Sequence, residues 1–225
     1  EELESAKIAI KLVKEGKADI PMKGILQTSN FARAILNRET GLIPASGRRL
    51  VSQCGIFEYE GRFIMITDAA ININPDVETQ IGIVENALPV AKALGNDCPK
   101  VAVLSAVENV TEKMVSTVTA AEIAKRGVPG CIISGPLALD GAISMESVKH
   151  KAIHDPVAGQ ADILLVPFIE IGNVLYKACT YIAGKTMAST ICGASCPVVI
   201  TSRADTPDSK YYSILMAVLR CIKGC

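Results

Sequence analysis

Apolar residues recur at helical and strand-like spacings along the chain, and from residue 76 onwards the two patterns alternate regularly. The spacings predict helices at 76–94, 112–126, 144–151 and 172–183, and strands at 100–105, 130–134 and 162–166. Pro89 lies inside the first of these helices, where we expect a kink or a break. Regular alternation is typical of right-handed β-α-β units, so the chain is predicted to be α/β, with mostly parallel strands flanked by helices.

The first 75 residues predict two helices and a hairpin. The helices cover 2–15 and 28–38, the second with Thr28 or Ser29 as its N-cap. Two extended runs, 50–59 and 62–67, are joined by Glu60-Gly61, which is a hairpin signal. Asn72 and Asn74 follow the second run, where they serve either a ligand or ordinary turn chemistry.

A dense group of polar residues precedes the last predicted helix, which covers 211–223. The apolar run 198–200 predicts a buried strand, and the residues after it include Ser202, Arg203, Asp205 and Asp208. Ligands of open parallel sheets bind beyond the carboxyl ends of strands, and arginine beside a hydroxyl suits an anion. The alternative is a helix start with Thr206 as N-cap and Asp208 facing the helix dipole. From the segment alone both interpretations stay open.

Composition narrows the class of protein. The 225 residues are 49% hydrophobic and 20% charged, which indicates a globular chain. Lys+Arg and Asp+Glu both number 23, aromatic residues make up 4% and Trp is absent, so neither nucleic acid nor an anionic membrane is predicted as a partner. We find no membrane-spanning run and no secretory leader, and we therefore expect a cytoplasmic protein.

The eight cysteines are scattered through apolar segments and have no nearby histidine partner. Their C-x3-C spacings at 192/196 and 221/225 do not suit a closed zinc site. We expect reduced thiols and no metal. Nor does the chain contain a Ser-His-Asp set, a Walker loop or a G-x-G-x-x-G motif.

Several short strings, taken in order, resemble the phosphate acetyl/butyryltransferase family, and its butyryl branch more closely. The strings are KAD at 17–19, MKG at 22–24, FARAILN at 31–37, TDAAININP at 67–75, VLSAVE at 103–108, GPLALD at 135–140, PVAG at 156–159, AD at 161–162, GN at 172–173, YK at 176–177 and TSRAD at 201–205. Each string alone is weak, whereas the ordered set is specific and extends over essentially the whole chain.

The resemblance implies a two-domain fold like that of the isocitrate and isopropylmalate dehydrogenases, with a cleft between the domains. The first domain would comprise residues 1–78 and 184–225, and the second residues 79–183. Members of the family usually carry a further N-terminal α/β segment, and we expect the first domain here to lack it.

The implied reaction is reversible transfer of a short acyl group between CoA and inorganic phosphate, by direct thiol attack on the acyl phosphate. CoA would be a substrate, with no permanently bound cofactor. The resemblance assigns catalytic roles to Ser202, Arg203 and Arg33, with Arg33 also binding substrate. The family's catalytic aspartate follows the Ser-Arg pair by several residues; Asp208 is the first candidate and Asp205 stays open.

Further substrate contacts are expected from Arg203, Lys23, Asn72, Asn74 and Asn173. These residue types fit the chemistry, because a guanidinium grips phosphate in bidentate fashion and a carboxylate can take the proton of a thiol. Acyl-CoA and phosphate are the expected small-molecule partners, and a homodimer or higher homo-oligomer is the expected assembly.

The principal alternative to an enzyme is a non-catalytic acyl-CoA-sensing module of a larger protein. Acyl transfer from acyl carrier protein is a third possibility, and it would call for a basic docking patch that the even charge does not indicate.

Overall fold

The structure, a computed structural model, describes residues 2–44 and 48–224. Its helices are α1 (Glu2–Lys14), α2 (Thr28–Ile35), α3 (Val77–Ala93), α4 (Val115–Arg126), α5 (Leu139–Ile143), α6 (Met145–Lys151), α7 (Ile169–Lys177) and α8 (Pro207–Lys223). Its strands are β1 (Ser52–Tyr59), β2 (Arg62–Thr67), β3 (Lys100–Leu104), β4 (Ile132–Leu137), β5 (Ile163–Leu165) and β6 (Ala188–Cys192). A π-helical turn, Ala178–Ile182, continues α7.

The described strands form one mostly parallel sheet in the order β4-β3-β5-β2-β1-β6. The pairs β4-β3, β3-β5 and β5-β2 are parallel. The hairpin strands β1 and β2 are antiparallel, and β6 adds to β1 in antiparallel fashion at the edge. The α/β class and the parallel character expected from the alternation are confirmed.

Apolar side chains from alternate strand positions bury both faces of the sheet. On one face, Cys54 and Ile56 of β1 pack in a cluster with residues of α3, α4 and α8. On the other face, Phe57 packs in a cluster with residues of α5 and α6, while Val51 packs with α1 and α2. The second face therefore carries two separate apolar clusters, and the space between them is available for a site.

The structure corrects four details of the predicted elements. Residues 198–200 are buried, but they form only isolated bridges, Val199 with Met22 and Val198 with Ile191. The edge strand β6 was not predicted. The N-cap of α2 is Gln27, which makes no side-chain capping bond, so the predicted caps at Thr28 or Ser29 are wrong. Helix α3 continues through Pro89 without a break, because its inner face is anchored in the core.

The start of α8 has the capping chemistry that one interpretation of the loop required. The hydroxyl of Thr206 accepts a hydrogen bond from the backbone N–H of Ser209 at 3.2 Å. Pro207 occupies the first helical position and Asp208 lies in the first turn. The helix-start interpretation is thus confirmed for Thr206 and Pro207. It does not involve the residues before them, whose side chains can therefore contact a ligand.

One strand pair joins the two segments that were predicted to belong to different domains. Met65 of β2, in the segment 1–78, pairs with Ile163 of β5, in the segment 79–183. The division into two domains stays a prediction. Among residues 2–44 and 48–224, no helix combines the length and the apolar character needed to span a membrane, and no group of three or more His, Cys, Asp or Glu side chains is arranged to hold a metal ion.

Candidate active site

A pocket of about 270 Å³ lies on the second face of the sheet, beside the loop that precedes α8. Four other parts of the chain complete its walls: the segment from Lys23 to Thr28, the turn after β2, helix α7 with its π-helical turn, and the strands β1 and β6. Most of its lining side chains are polar or charged, so the pocket is suited to a small polar or anionic ligand.

The loop before α8 is folded by Asp205. Its Oδ2 atom accepts a hydrogen bond from the backbone N–H of Ser202 at 2.7 Å, and its own N–H donates to the Ser202 carbonyl at 3.2 Å. This tight turn leaves the side chains of Ser202 and Arg203 exposed while both line the pocket. A hydroxyl and a guanidinium therefore face the same opening.

Lys23 places a second cation at the pocket, and it is almost fully buried, with 4% of its surface exposed. Its Nζ donates to the carbonyls of Gly24 and Leu26, both at 3.2 Å. Burial lowers the pKa of this ammonium and the charge of Arg203 adds to the effect, whereas Asp205 opposes it. An anion bound between Lys23 and Arg203 would relieve this repulsion.

Of the two candidate carboxylates, Asp205 lines the pocket and Asp208 does not. Burial raises the pKa of the Asp205 carboxyl, although the Ser202 N–H and the charges of Lys210 and Lys23 oppose the shift. A carboxyl with a raised pKa is a stronger base than an ordinary aspartate once it is ionised. Asp208 is exposed in the first turn of α8.

The N-terminus of α2 also meets the pocket, through Gln27 and Thr28. Gln27 makes no side-chain capping bond, but the carboxylate of Glu2 lies at this end of the helix. Its Oε2 accepts from the Gln27 N–H at 3.1 Å and from Asn30 Nδ2 at 2.9 Å. The positive end of the helix dipole therefore already faces one negative charge.

The floor of the pocket is polar; Tyr176 belongs to the string YK noted in the sequence, whereas Gln53 and Ser189 were not singled out. Gln53 on β1, Ser189 on β6 and Tyr176 on α7 line it. Gln53 Nε2 donates to Ser189 Oγ at 2.8 Å. Gly55 makes room for the tyrosine, since a Cβ there would lie 2.6 Å from Tyr176 Cδ2. The available signal was a glutamine within a run predicted to be extended, two residues before Gly55.

Asp68 stabilises the turn after β2, which forms one wall of the pocket. It is 2% exposed. Its Oδ1 accepts from the N–H groups of Gln53, Ala70 and Ile71, and its Oδ2 accepts from both the backbone and the side-chain amide of Asn72. Burial raises the pKa of this carboxyl and these donors oppose the shift. The carboxylate thus fixes the turn that carries Ala69 and Ala70 into the pocket wall.

Replacing Asp68 with asparagine is expected to lower the free energy of unfolding by roughly 2 to 4 kcal/mol, since an amide NH₂ would face the two donors of Asn72 and leave them unsatisfied. Urea denaturation at pH 7 measures the loss. Asp76→Asn is the control: Asp76 caps α3 by accepting from Thr79 N–H at 2.8 Å, and asparagine caps about equally well. Equal stability of Asp68→Asn and the wild type would contradict the assigned role.

The other predicted site residues fall into two groups. Asn173 lines the pocket, and its Nδ2 donates to the Ala69 carbonyl at 3.2 Å. Asn72, Asn74 and Arg33 are not among its lining residues. The amide of Asn72 donates to the Val51 carbonyl and to Asp68, which is turn chemistry. The structure thus joins Ser202, Arg203, Lys23 and Asn173, and the roles assigned to all of these residues stay predictions.

Cationic side chains, hydroxyl groups and a carboxylate at one pocket beside the sheet are typical of an α/β enzyme that binds a small anionic substrate. Comparison with known proteins agrees with this class. The model of the phosphate acetyl/butaryl transferase family matches residues 2–218. A probable phosphate butyryltransferase from Bacillus subtilis is 48% identical over 219 residues, which span 96% of this chain and 73% of the relative.

Solved structures give the same result. A branched-chain phosphotransacylase from Enterococcus faecalis is 41% identical with a TM-score of 0.88, covering 96% of this chain and 78% of that one. A 4-hydroxythreonine-4-phosphate dehydrogenase from Klebsiella pneumoniae, at 13% identity and a TM-score of 0.53, covers 97% of this chain and 69% of that one, and shows that the fold is shared with dehydrogenases.

The chain belongs to the phosphate acetyl/butyryltransferase family. Phosphate acyltransferase activity follows from this membership, and the expected family and fold are confirmed. The alternative of a non-catalytic acyl-CoA-sensing module finds no support in these comparisons.

Proposed function

We propose that this protein reversibly transfers a short acyl group between CoA and inorganic phosphate, and that the transfer takes place in the pocket beside the loop before α8. The observation that carries the proposal is the convergence of Lys23, Ser202, Arg203 and Asp205 on one small pocket. The two cations suit the phosphate, the hydroxyl suits a developing negative charge, and the carboxylate suits a thiol proton.

The chemistry needs one bond exchange and one proton transfer. In the direction of acyl-CoA synthesis, the CoA thiol attacks the carbonyl carbon of the acyl phosphate, so that a C–S bond forms and the bond to the phosphate oxygen breaks. The thiol proton passes to a carboxylate. Arg203 and Lys23 hold the leaving phosphate, and the Ser202 hydroxyl donates to the oxyanion or to the thiolate.

Asp205 is our candidate for the base, because it lines the pocket while Asp208 lies in the first turn of α8. The hydrogen bond from the Ser202 N–H occupies Oδ2, which leaves Oδ1 to accept the proton. The base must come within hydrogen-bonding distance of the thiol, and a residue of the pocket lining meets this condition most directly.

Most of the CoA molecule must lie outside the pocket. A volume of about 270 Å³ is smaller than the roughly 300–1,000 Å³ of pockets that enclose drug-sized ligands. The acyl phosphate fits inside, and CoA presents its thiol from the opening. Arg33, which is exposed on α2, keeps its predicted role as a substrate contact for the part of CoA beyond the pocket.

The experiment that tests the function is phosphate-dependent release of free thiol from acetyl-, propionyl- and butyryl-CoA by the purified chain, with acyl phosphate identified as the second product. We expect release with at least one of the three and none without phosphate. Absence of phosphate-dependent release from all three, in a folded sample, would overturn the proposal.

A cytoplasmic location and a homodimer complete the proposal. The described cysteines, Cys54 to Cys221, are all free thiols, which supports a reducing compartment. Apolar and aromatic side chains exposed on α8 support self-association; they are Tyr211, Tyr212, Leu215 and Ile222, of which Tyr212 and Leu215 share a surface depression with Phe63 of the hairpin. Light scattering coupled to size-exclusion chromatography would measure the assembly, and a strictly monomeric protein would refute the dimer.

A further inference from the structure

Gln53 carries a buried acceptor that the transfer mechanism does not use. The side chain is 3% exposed and lines the pocket. Its Nε2 donates to Ser189 Oγ, whereas its Oε1 has no hydrogen-bond partner within the described part of the chain. A buried, unsatisfied carbonyl oxygen is costly, and in a pocket it marks the place where a ligand donor is expected.

The position of Gln53 on the sheet shows that this polar patch is local. Gln53, Gly55 and Phe57 share one face of β1, because side chains alternate along a strand, and Val51 directly precedes the strand. Val51 belongs to one apolar cluster and Phe57 to the other. Gln53 and Gly55 therefore lie at the gap between the clusters.

Two hydroxyl groups complete the patch. Ser189 is paired with Gly55 in the register of β1 and β6, which places it on the same face. Tyr176 packs its ring against Gly55, and the Ser189 hydroxyl opposes the rise that burial causes in the pKa of the Tyr176 phenol. The patch thus offers a free acceptor on Gln53 together with hydroxyls that can donate, and this set matches one alcohol group on a ligand.

The phosphate and the thiol have better positions elsewhere in the pocket. Lys23 and Arg203 line the pocket from the segment before α2 and from the loop before α8, and Lys177 of α7 is a third cation of the lining. The thiol must enter from the opening, where Ser202 and Arg203 are exposed. The remaining group of the acyl phosphate is the acyl chain, and the floor formed by Gln53, Ser189 and Tyr176 is the site left for it.

We infer that the floor of the pocket is a subsite for a short acyl chain that bears a hydroxyl group, with Gln53 Oε1 accepting the hydrogen bond from that hydroxyl. The inference rests on the proposed function and narrows its substrate class. An unsubstituted chain of the same length would cover Gln53 Oε1 without satisfying it, and sites that hydrogen-bond a substrate hydroxyl discriminate strongly against analogues that lack it.

The test compares kcat/KM for 3-hydroxybutyryl-, 4-hydroxybutyryl- and butyryl-CoA, with saturating phosphate, in the wild type and in Gln53→Met. Methionine keeps a similar volume and removes the acceptor. We expect the better hydroxyacyl substrate to exceed butyryl-CoA by at least about 10-fold in the wild type. In Gln53→Met this ratio should fall to near one, because kcat/KM for the hydroxyacyl substrate decreases while kcat/KM for butyryl-CoA does not.

Gln80→Met is the matched control. Gln80 is also buried, at 2% exposure, and its Oε1 is also without a partner, but it lies on α3 away from the pocket. The control should keep the wild-type ratio. If Gln53→Met fails to fold, Tyr176→Phe provides the second variant, since it removes a hydroxyl of the patch and retains the ring beside Gly55; it should lower the ratio in the same direction.

Three results would overturn the inference. The first is a wild-type kcat/KM for butyryl-CoA that equals or exceeds the kcat/KM for both hydroxyacyl substrates. The second is an unchanged ratio in Gln53→Met, or in Tyr176→Phe if that variant replaces it. The third is an equal loss for all three substrates, which would place the Gln53 contact on CoA itself. Failure of the proposed function is distinguishable, because the wild type would then turn over none of the acyl-CoA esters.

Discussion

Replacing Arg203 with alanine is expected to lower kcat/KM for phosphate by about 100- to 1,000-fold, the loss seen when one preorganised donor to a developing charge is removed. Arg203 is exposed at the opening of the pocket and lies near buried Lys23. Its guanidinium can bind two phosphate oxygens at once, so Arg203→Lys should recover only part of the loss. Initial rates of thiol release at varied phosphate concentrations measure the effect.

Arg126→Ala is the control for this experiment. Arg126 lies on α4 and pairs with Glu122 and Glu78, outside the pocket. Because the pairs are exposed, their loss should change stability by less than about 1 kcal/mol, and the rate should stay at the wild-type value. An Arg203→Ala enzyme with wild-type kcat/KM for phosphate would show that the anion binds elsewhere.

The second large effect is expected from Asp205→Asn, which should lower the rate of thiol attack on acyl phosphate by about 100- to 10,000-fold. Asparagine preserves an oxygen that can accept from the Ser202 N–H, so the loop should keep its fold. The rate is measured as CoA consumption with acetyl, propionyl or butyryl phosphate. Asp208→Asn is the matched comparison, and we expect a much smaller change.

The pH dependence provides an independent readout of Asp205. Below its pKa the carboxyl is protonated and cannot take the thiol proton, so kcat/KM falls as the pH decreases. Burial raises this pKa, and the acid limb should therefore lie above the range of an ordinary aspartate. The limb should be lost in Asp205→Asn and retained in Asp208→Asn. Loss of the limb in Asp208→Asn and its retention in Asp205→Asn would instead make Asp208 the base.

The stability of the variants is measured alongside this comparison. A carboxyl whose pKa is raised in the folded state contributes stability that is fully present below its unfolded-state pKa and is lost as the pH rises through the folded-state pKa. Asp205→Asn removes this contribution on the acid side of the profile. Urea denaturation at each assay pH shows that the variant is folded where its rate is measured.

The elements that follow from local patterns were predictable from the sequence. Helix α1, the hairpin of β1 and β2, and the alternation from α3 to α7 match the apolar spacings within a few residues, apart from the short helix α5, which was not predicted. The elements that depend on distant partners were not. Residues 198–200 have the composition of a strand but find only isolated bridges, and β6 is a strand because β1 is available to pair with it. Strand formation depends on a partner, which local composition does not specify.

The residues of the candidate site also divide into those that the sequence indicates and those that only the fold brings together. Ser202, Arg203 and Lys23 could be singled out because charged residues within recognisable strings are visible in the sequence. Gln53 and Ser189 could not, because they are far apart in the chain and each has an ordinary role in a strand. Tyr176 stands in one of the strings, but nothing in the sequence places it beside Gln53 and Ser189. Only the pairing of β1 with β6 and the packing of α7 on Gly55 bring them together.

By itself, the sequence determined the α/β class, the family and the loop that carries Ser202 and Arg203, because periodicity and ordered strings are properties of the chain alone. The tertiary structure decided which of these residues share a pocket. It placed Asp205 in the lining and Asp208 at the start of α8, although the two are three residues apart. The physical reason is the turn closed by the Asp205 carboxylate, whose bond to the Ser202 N–H directs one aspartate inward before the helix begins.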